Sequence, residues 1–438
     1  MNKKKRIPNI YFGWWTAIAG GVVSLWAAGY QIYGISALFK PISMELGFNR
    51  TATSVAASIG RFEGGFEAPL AGWITDKYGP KWIIFFGVFL LSISLILMNY
   101  VDSLWTFYLV WGVLLGTGHN MGSSVPFETA ITNWFVKKRG TALSIKWFLS
   151  GFSGVLVLPL IAWLITIYGW RTTCVIGGIV MAFIGFPLAL LCVKQRRPEY
   201  YGLLPDGAKV SESGHGEQMV DRGVRYAAEI QEVEFTLRQA MRTPAYWLNI
   251  VVQSLFWLVG GAMSIHSIPF LTDIGIDSVK AAGMMALMVA ASIPARFLGG
   301  FLGDHLHRKN LRFIMAGMCL FQSISIALFL YHQSVVVIYV WFILFGLGQG
   351  VAITINPLTT ARYFGRKAFG SVRGSSIIFQ TPVSIIAPIY AGWVFDTTGN
   401  YMNAFTTFTV LLVISGILAC FMFPPKAPSE ITSIHKIV

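Results

Sequence analysis

An arginine, three glutamates, a histidine and a lysine stand inside long apolar runs of this 438-residue chain. An ionisable group in such a place is costly and by default points to function. Arg296 lies between Ile293-Pro294-Ala295 and Phe297-Leu298-Gly299-Gly300, with no acid close by in its own run. A permanently charged guanidinium of this kind can bind a carboxylate through two parallel hydrogen bonds. Glu63 and Glu67 are four residues apart and share one helix face, so either is a candidate proton carrier. His119 and Asn120 follow the Gly112, Gly116, Gly118 series and are candidates for substrate or proton contact, with a packing histidine as the plainer reading. Glu128 and Lys146, at similar expected depth in adjacent runs, are expected to form an ion pair in a gate. His266, Gln349 and Asn356 are further polar candidates, and Pro357 can break its helix and free a carbonyl.

Long hydrophobic helices must position these groups. The composition is 55% hydrophobic and 12% charged, against about a quarter charged in ordinary soluble domains, which places the chain among polytopic membrane proteins. A spanning helix needs about 20 largely apolar residues. Twelve such runs can be marked, at 13–39, 52–75, 82–100, 104–134, 141–167, 170–193, 246–272, 279–302, 311–331, 335–362, 369–394 and 401–423. The net charge of +14 is gathered in short loops on alternate sides of these runs, which argues against nucleic acid and, by the positive-inside rule, makes both termini cytoplasmic. The expected architecture is all-α and integral to the membrane, with a six-helix half over 1–193, a cytoplasmic linker over 194–245 and a second six-helix half over 246–438.

Within the linker, Ser211 to Gly216 reads as flexible, and 229–241 as a short amphipathic helix on the membrane surface. Cys174, Cys192, Cys319 and Cys420 lie in apolar surroundings and read as thiols acting as small hydrophobes. Lys3-Lys4-Lys5-Arg6 precedes an apolar run without a small-residue cleavage site, so that run is read as a retained first helix.

Two hairpins repeat one pattern. Gly72-Trp73-Ile74-Thr75-Asp76-Lys77 closes the second run, and Gly300-Phe301-Leu302-Gly303-Asp304-His305 closes the eighth. Each has a glycine four residues before an acid, and basic residues follow each acid. Duplication at matching positions implies two related halves, and two halves moving about a central site describe a carrier. Asp76, Lys77 and Asp304 are therefore gating candidates; an acid here can meet a helix N-terminus in one conformation and lose it in another.

With these hairpins the chain resembles the major facilitator superfamily over essentially its whole length. Within it, Tyr11-Phe12-Gly13-Trp14-Trp15, Trp134 to Gly140, Arg197-Pro198 with Gly202 to Gly207, and Ala361 to Gly365 make it similar to the monocarboxylate porter and oxalate–formate exchanger branch. That resemblance implies a substrate-binding arginine at Arg296. It also identifies departures. The second cationic site of dicarboxylate exchangers falls on Gln380, ten residues after Gly370, which favours a monoanion. The lysine and aspartate of proton-linked members fall on Tyr33 and Ser292, so their proton relay does not carry over, although Tyr33 still fits a cavity residue. Large aromatics of the tenth span are replaced by Gln349 and Ile353, which moves the substrate away from a small planar dianion.

The expected function is secondary active transport of a small organic monocarboxylate across the plasma membrane by alternating access, coupled to a proton or a counter-anion. The expected working unit is a monomer in the lipid bilayer, with no nucleic-acid partner and no cofactor. Arg296 would hold the carboxylate, Gln380, Asn120 and His119 would orient the rest, and Tyr33 would cap the outer side. Acids in one half and Arg296 in the other also fit a zwitterionic or amine-bearing carboxylate. A solute sensor that binds without transporting is the rival from another class. An enzyme is remote, because there is no Walker loop, no paired Cys/His pattern and no hydrolase nucleophile elbow.

Overall fold

The computed structural model describes residues 10–47, 50–208, 219, 222–223, 226 and 232–428. Among the described residues every regular element is helical. In chain order the α-helices are α1 Phe12–Ala28, α2 Ile35–Leu46, α3 Arg50–Tyr78, α4 Pro80–Leu97, α5 Leu104–Phe107, α6 Gly116–Ser123, α7 Val125–Trp134, α8 Arg139–Gly151 and α9 Leu158–Cys192. They continue with α10 Leu237–Met241, α11 Pro244–Asp273, α12 Ser278–His305, α13 Leu311–Tyr331, α14 Val335–Phe364, α15 Phe369–Thr398 and α16 Met402–Cys420.

Nine stretches among the described residues are both long and apolar enough to cross a membrane. Those nine account for most of the marked runs, because Arg139–Cys192 holds two of them, turned at Gly169 with φ 75°. Only glycine adopts that left-handed backbone cheaply. The marked run 52–75 lies in α3, which carries Glu63 and Glu67. The marked run 104–134 is divided into α5, a π-helix over Tyr108–Leu115, α6 and α7. Its last break is at Ser124 (φ −99°, ψ −119°), just before Pro126, whose ring cannot continue a helical hydrogen-bond ladder. Ser24 Oγ takes up the freed carbonyl of Ser123 at 3.1 Å.

Two apolar clusters form the interior. One draws only on residues between Ala19 and Val193, centred on Tyr30, Trp111 and Phe127. The other runs from Val233 to Met422 and takes in a few residues of α1, α7 and α8. The four cysteines are free thiols, Cys174 and Cys319 fully buried. Of the expected surface helix over 229–241, residues 229–231 lie outside the described residues, 232–236 belong to no regular element and Thr236 caps α10; Ser211 to Gly216 also lie outside the described residues.

Candidate functional site

The two hairpin acids do the same work on opposite partners. Asp76, at the end of α3, accepts hydrogen bonds from Gly370 N (3.0 Å), Ser371 N (2.6 Å) and Ser371 Oγ (2.6 Å) at the start of α15. Asp304, at the end of α12, accepts from Gly140 N (2.6 Å), Thr141 N (2.7 Å) and Thr141 Oγ1 (2.8 Å) at the start of α8. Each carboxylate sits on the positive end of a helix whose first amides have no partner within the helix. The glycine four residues earlier makes the contact possible. A Cβ at Gly72 would overlap the Gly370 carbonyl, and one at Gly300 would overlap the Gly140 carbonyl and Ser144 Oγ. Lys77 points elsewhere, over the rings of Trp73 and Tyr78.

A second reciprocal pair backs these locks. Arg139 donates to the Ala361 carbonyl at 3.3 Å, and Arg366 donates to the Asn133 carbonyl at 3.3 Å. Both arginines are almost fully buried and are neutralised by linker acids, Arg139 by Glu232 and Arg366 by Glu199. The linker thus clamps the charge-rich end. Asp206 adds to this by accepting from the backbone amides of Val136, Lys137 and Lys138.

Beyond the α15 lock, toward the middle of that helix, opens a cavity of about 1190 Å³. Its lining includes Glu63 of α3, Gln349 and Asn356 of α14, and Arg373 and Gln380 of α15. The Gln380 amide nitrogen is buried with no hydrogen-bond partner among the described residues. Gln349 Oε1 accepts from Gln322 at 3.1 Å, and Asn356 Oδ1 accepts from Arg373 at 3.3 Å. A smaller cavity of about 360 Å³ is lined by His119 and Asn120 and shares Ile377, Thr381 and Ser384 with the larger one. Glu63 accepts from Thr117 Oγ1 and Glu67 from Asn120 Nδ2 at 3.5 Å, and the second oxygen of each carboxylate is buried without a partner among the described residues.

Three expected residues stand apart from these cavities. Arg296 is buried between α12 and α8, donating to the Trp147 carbonyl at 3.0 Å and to Ser292 Oγ at 3.3 Å. Tyr33 interacts with its guanidinium and packs on Gly154, and Arg296 Nε has no partner among the described residues. His266 is satisfied at both nitrogens, near the Pro388 carbonyl (2.9 Å) and the Tyr401 hydroxyl (3.3 Å), as expected of a packing histidine.

The expected Glu128–Lys146 pair is not formed. Glu128 instead meets Arg373, Nε to Oε2 at 3.2 Å, across from α7 to α15. The Lys146 ammonium has no hydrogen-bond partner among the described residues and lies over the Trp147 ring, 3.7 Å from its centroid. Arg373 was the stronger competitor because its planar fork satisfies Glu128 and Asn356 together. Sequence reading passed over Arg373, which stands close to the basic loop at Arg366-Lys367. The available signal was its spacing of seven residues, two helical turns, from Gln380.

Comparison with known proteins places this geometry among carriers. The sequence profile described as Major Facilitator Superfamily matches residues 21–388. The chain is 25% identical to monocarboxylate transporter 12 of Rattus norvegicus over 369 residues, covering 81% of this chain and 74% of the relative. It is 24% identical to monocarboxylate transporter 12-B of Danio rerio, covering 93% and 86%. Among solved structures, the proton:xylose symporter XylE superposes with a TM-score of 0.72 at 14% identity, covering 97% of this chain and 99% of that one. FucP in the outward conformation gives 0.64 at 15% identity, covering 93% and 98%.

Proposed function

The chain belongs to the Major Facilitator Superfamily and is a membrane transporter, not an enzyme; on that footing we propose that it carries a small organic monocarboxylate across the plasma membrane by alternating access. The observation that carries the reading is a cavity of about 1190 Å³, lined by Glu63, Gln349, Asn356, Arg373 and Gln380, in a fold that also holds the twin carboxylate-to-helix locks. Such locks can hold one end shut and part when the halves rock. The proposed layout is twelve spans in two six-helix halves, 1–193 and 246–438, joined by the linker 194–245, with both termini and both locks cytoplasmic. The similarity to FucP in its outward conformation supports a cavity open toward the other side.

In this scheme the buried amide of Gln380, together with Gln349, Asn356, Asn120 and His119, orients the substrate. Arg296, with Nε unused and Tyr33 against it, supplies the positive charge that holds the carboxylate as the halves close. Glu63 and Glu67, each with an unpartnered oxygen, are the proton-coupling candidates. The monocarboxylate class rests on the relatives' names and on the neutral Gln380 where dicarboxylate exchangers place a second cation.

One observation favours a second reading. Glu63 and Arg373, an acid and a base, line the same cavity, as a carboxylate bearing an amine or quaternary ammonium would require. Purified protein in liposomes tests both readings through uptake of labelled monocarboxylates and their amino analogues, with and without a pH gradient. Accumulation of the plain acids supports the first reading, and preference for the amino analogues the second. Saturable binding with no accumulation of either would sink both and leave a sensor.

A further inference from the structure

We propose that Arg373 is a further substrate-contacting residue, and that an incoming carboxylate displaces Glu128 from it onto Lys146, releasing the inner gate. Arg373 is reachable because it lines the large cavity, and its side chain keeps 12% of its exposure. Its partner Glu128 is only 1% exposed, so the anion that can be exchanged from the cavity side is the substrate's. The pair also joins α7 to α15, the helix that Asp76 caps one turn away through Gly370 and Ser371. Breaking it therefore loosens the same contact that the lock secures.

Splitting a buried pair ordinarily strands two charges in an apolar interior, at a cost that would freeze the gate. Lys146 removes half of that cost. It is fully buried, its ammonium has no hydrogen-bond partner among the described residues and lies over the Trp147 ring, and it lies within electrostatic reach of both Glu128 and Arg373. Glu128 and Lys146 sit on α7 and α8, within the one proposed half, whereas Arg373 sits on α15 in the other. When the halves part, Glu128 keeps Lys146 beside it and loses Arg373, whose charge the substrate carboxylate neutralises first, before it passes to Arg296. No proton or bond is transferred; two salt bridges replace one salt bridge and one idle cation. The groups facing this exchange are Glu128, Lys146, Arg373, Asn356 and His119.

This inference rests on the carboxylate reading above, and its test is built to fail separately. With the four natural cysteines replaced by alanine, Thr129→Cys provides a buried reporter beside Gly370, labelled by a maleimide only when the inner end opens. In full-length protein, R373Q should raise the labelling rate about tenfold, and K146M should lower it about tenfold, by removing the pair that forms on opening. In an E128Q background K146M should have no effect, because Lys146 acts only through Glu128. An equal K146M effect in both backgrounds overturns the exchange and leaves Lys146 a packing residue. K146Q takes its place if K146M does not insert.

Propionate, with the neutral propionamide as control, probes the substrate step. Propionate should speed labelling of the parent and leave R373Q unchanged, while propionamide should do neither. A parent unmoved by propionate overturns the substrate-triggered step. A cycle that holds in a protein that accumulates no carboxylate refutes the transport reading and leaves the exchange standing.

Discussion

Replacing Asp76 by Asn should unlock the inner end. The wild-type carboxylate accepts three hydrogen bonds at 2.6–3.0 Å from Gly370 and Ser371. An isosteric amide keeps one acceptor oxygen but turns an NH2 group toward the donors and removes the charge on the α15 N-terminus. Hydrogen bonds to a charged group contribute about 1.5–3 kcal/mol each, and a charge at a helix end up to about 2 kcal/mol in a partly buried setting. Losing one such bond and part of the helix-end term gives a net loss of about 2–4 kcal/mol, or roughly 30- to 1000-fold in the open-to-closed ratio. The Thr129→Cys labelling rate measures that ratio while opening and closing are faster than alkylation. Asp304→Asn should give a similar factor, because its three bonds to Gly140 and Thr141 match those of Asp76. The two locks share no residue, so D76N/D304N should shift the balance by about the sum of the two free energies. If D76N labels no faster than its parent in protein that is monodisperse and correctly inserted, the carboxylate is not a lock and the reasoning fails.

The glycines before the acids give a companion test. G72A and G300A each force a methyl into a facing backbone carbonyl, at about 1–3 kcal/mol of overpacking, so each should speed labelling with its aspartate intact. Labelling equal to the parent would show that the helices yield without opening. At the linker, Asp206→Ala strips an acceptor from the amides of Val136, Lys137 and Lys138 and should cost about 2 kcal/mol, seen as faster tryptic cleavage between 194 and 245; unchanged cleavage would refute the clamp. On the far side, Glu45 accepts from Arg171 Nε at 2.8 Å and from Trp170 Nε1 at 2.6 Å, and the Arg171 bond holds its carboxyl below the ordinary carboxylate range. A depressed carboxylate stabilises the fold above its unfolded value and loses that contribution as the pH falls through its folded value. The tie is half exposed, so its effect is small. Melting below about pH 4 should be shallower in E45Q than in wild type, and identical acid limbs would count against the tie.

Much of this was legible in the sequence because it is written in local terms. The paired Gly-x-x-x-Asp hairpins stood out from spacing alone, and both acids prove to cap a helix start, while the apolar runs announced helices. What the hairpins hold was not legible. Asp76 reaches Gly370 and Asp304 reaches Gly140 across 294 and 164 residues, a pairing that only packing decides. The same limit explains Glu128. From sequence its natural partner was Lys146 on the neighbouring helix, but Arg373 arrives from α15 with a fork that serves Asn356 as well. Arg296 shows the converse. Its apolar setting correctly marked it as unusual, yet spacing could not reveal that its guanidinium would meet the Trp147 carbonyl rather than the cavity.

The departures from two-fold symmetry then acquire a physical meaning. The locks share two backbone amides and one hydroxyl on each carboxylate, Asp304 having Arg362 at 3.8 Å in addition, and neither lock touches the cavity residues that would meet a cargo. A carrier needs an element that reads its cargo, and such an element must break the symmetry. The ion pair of Glu128 with Arg373, a cavity-lining residue, lies on the α15 side. The matching register on α8, three residues after Gly140, holds Leu143, and Lys146 stands one turn further along. Glu128 is thus shared between Arg373 and Lys146, and under the proposed exchange a substrate carboxylate would be the second anion of that group.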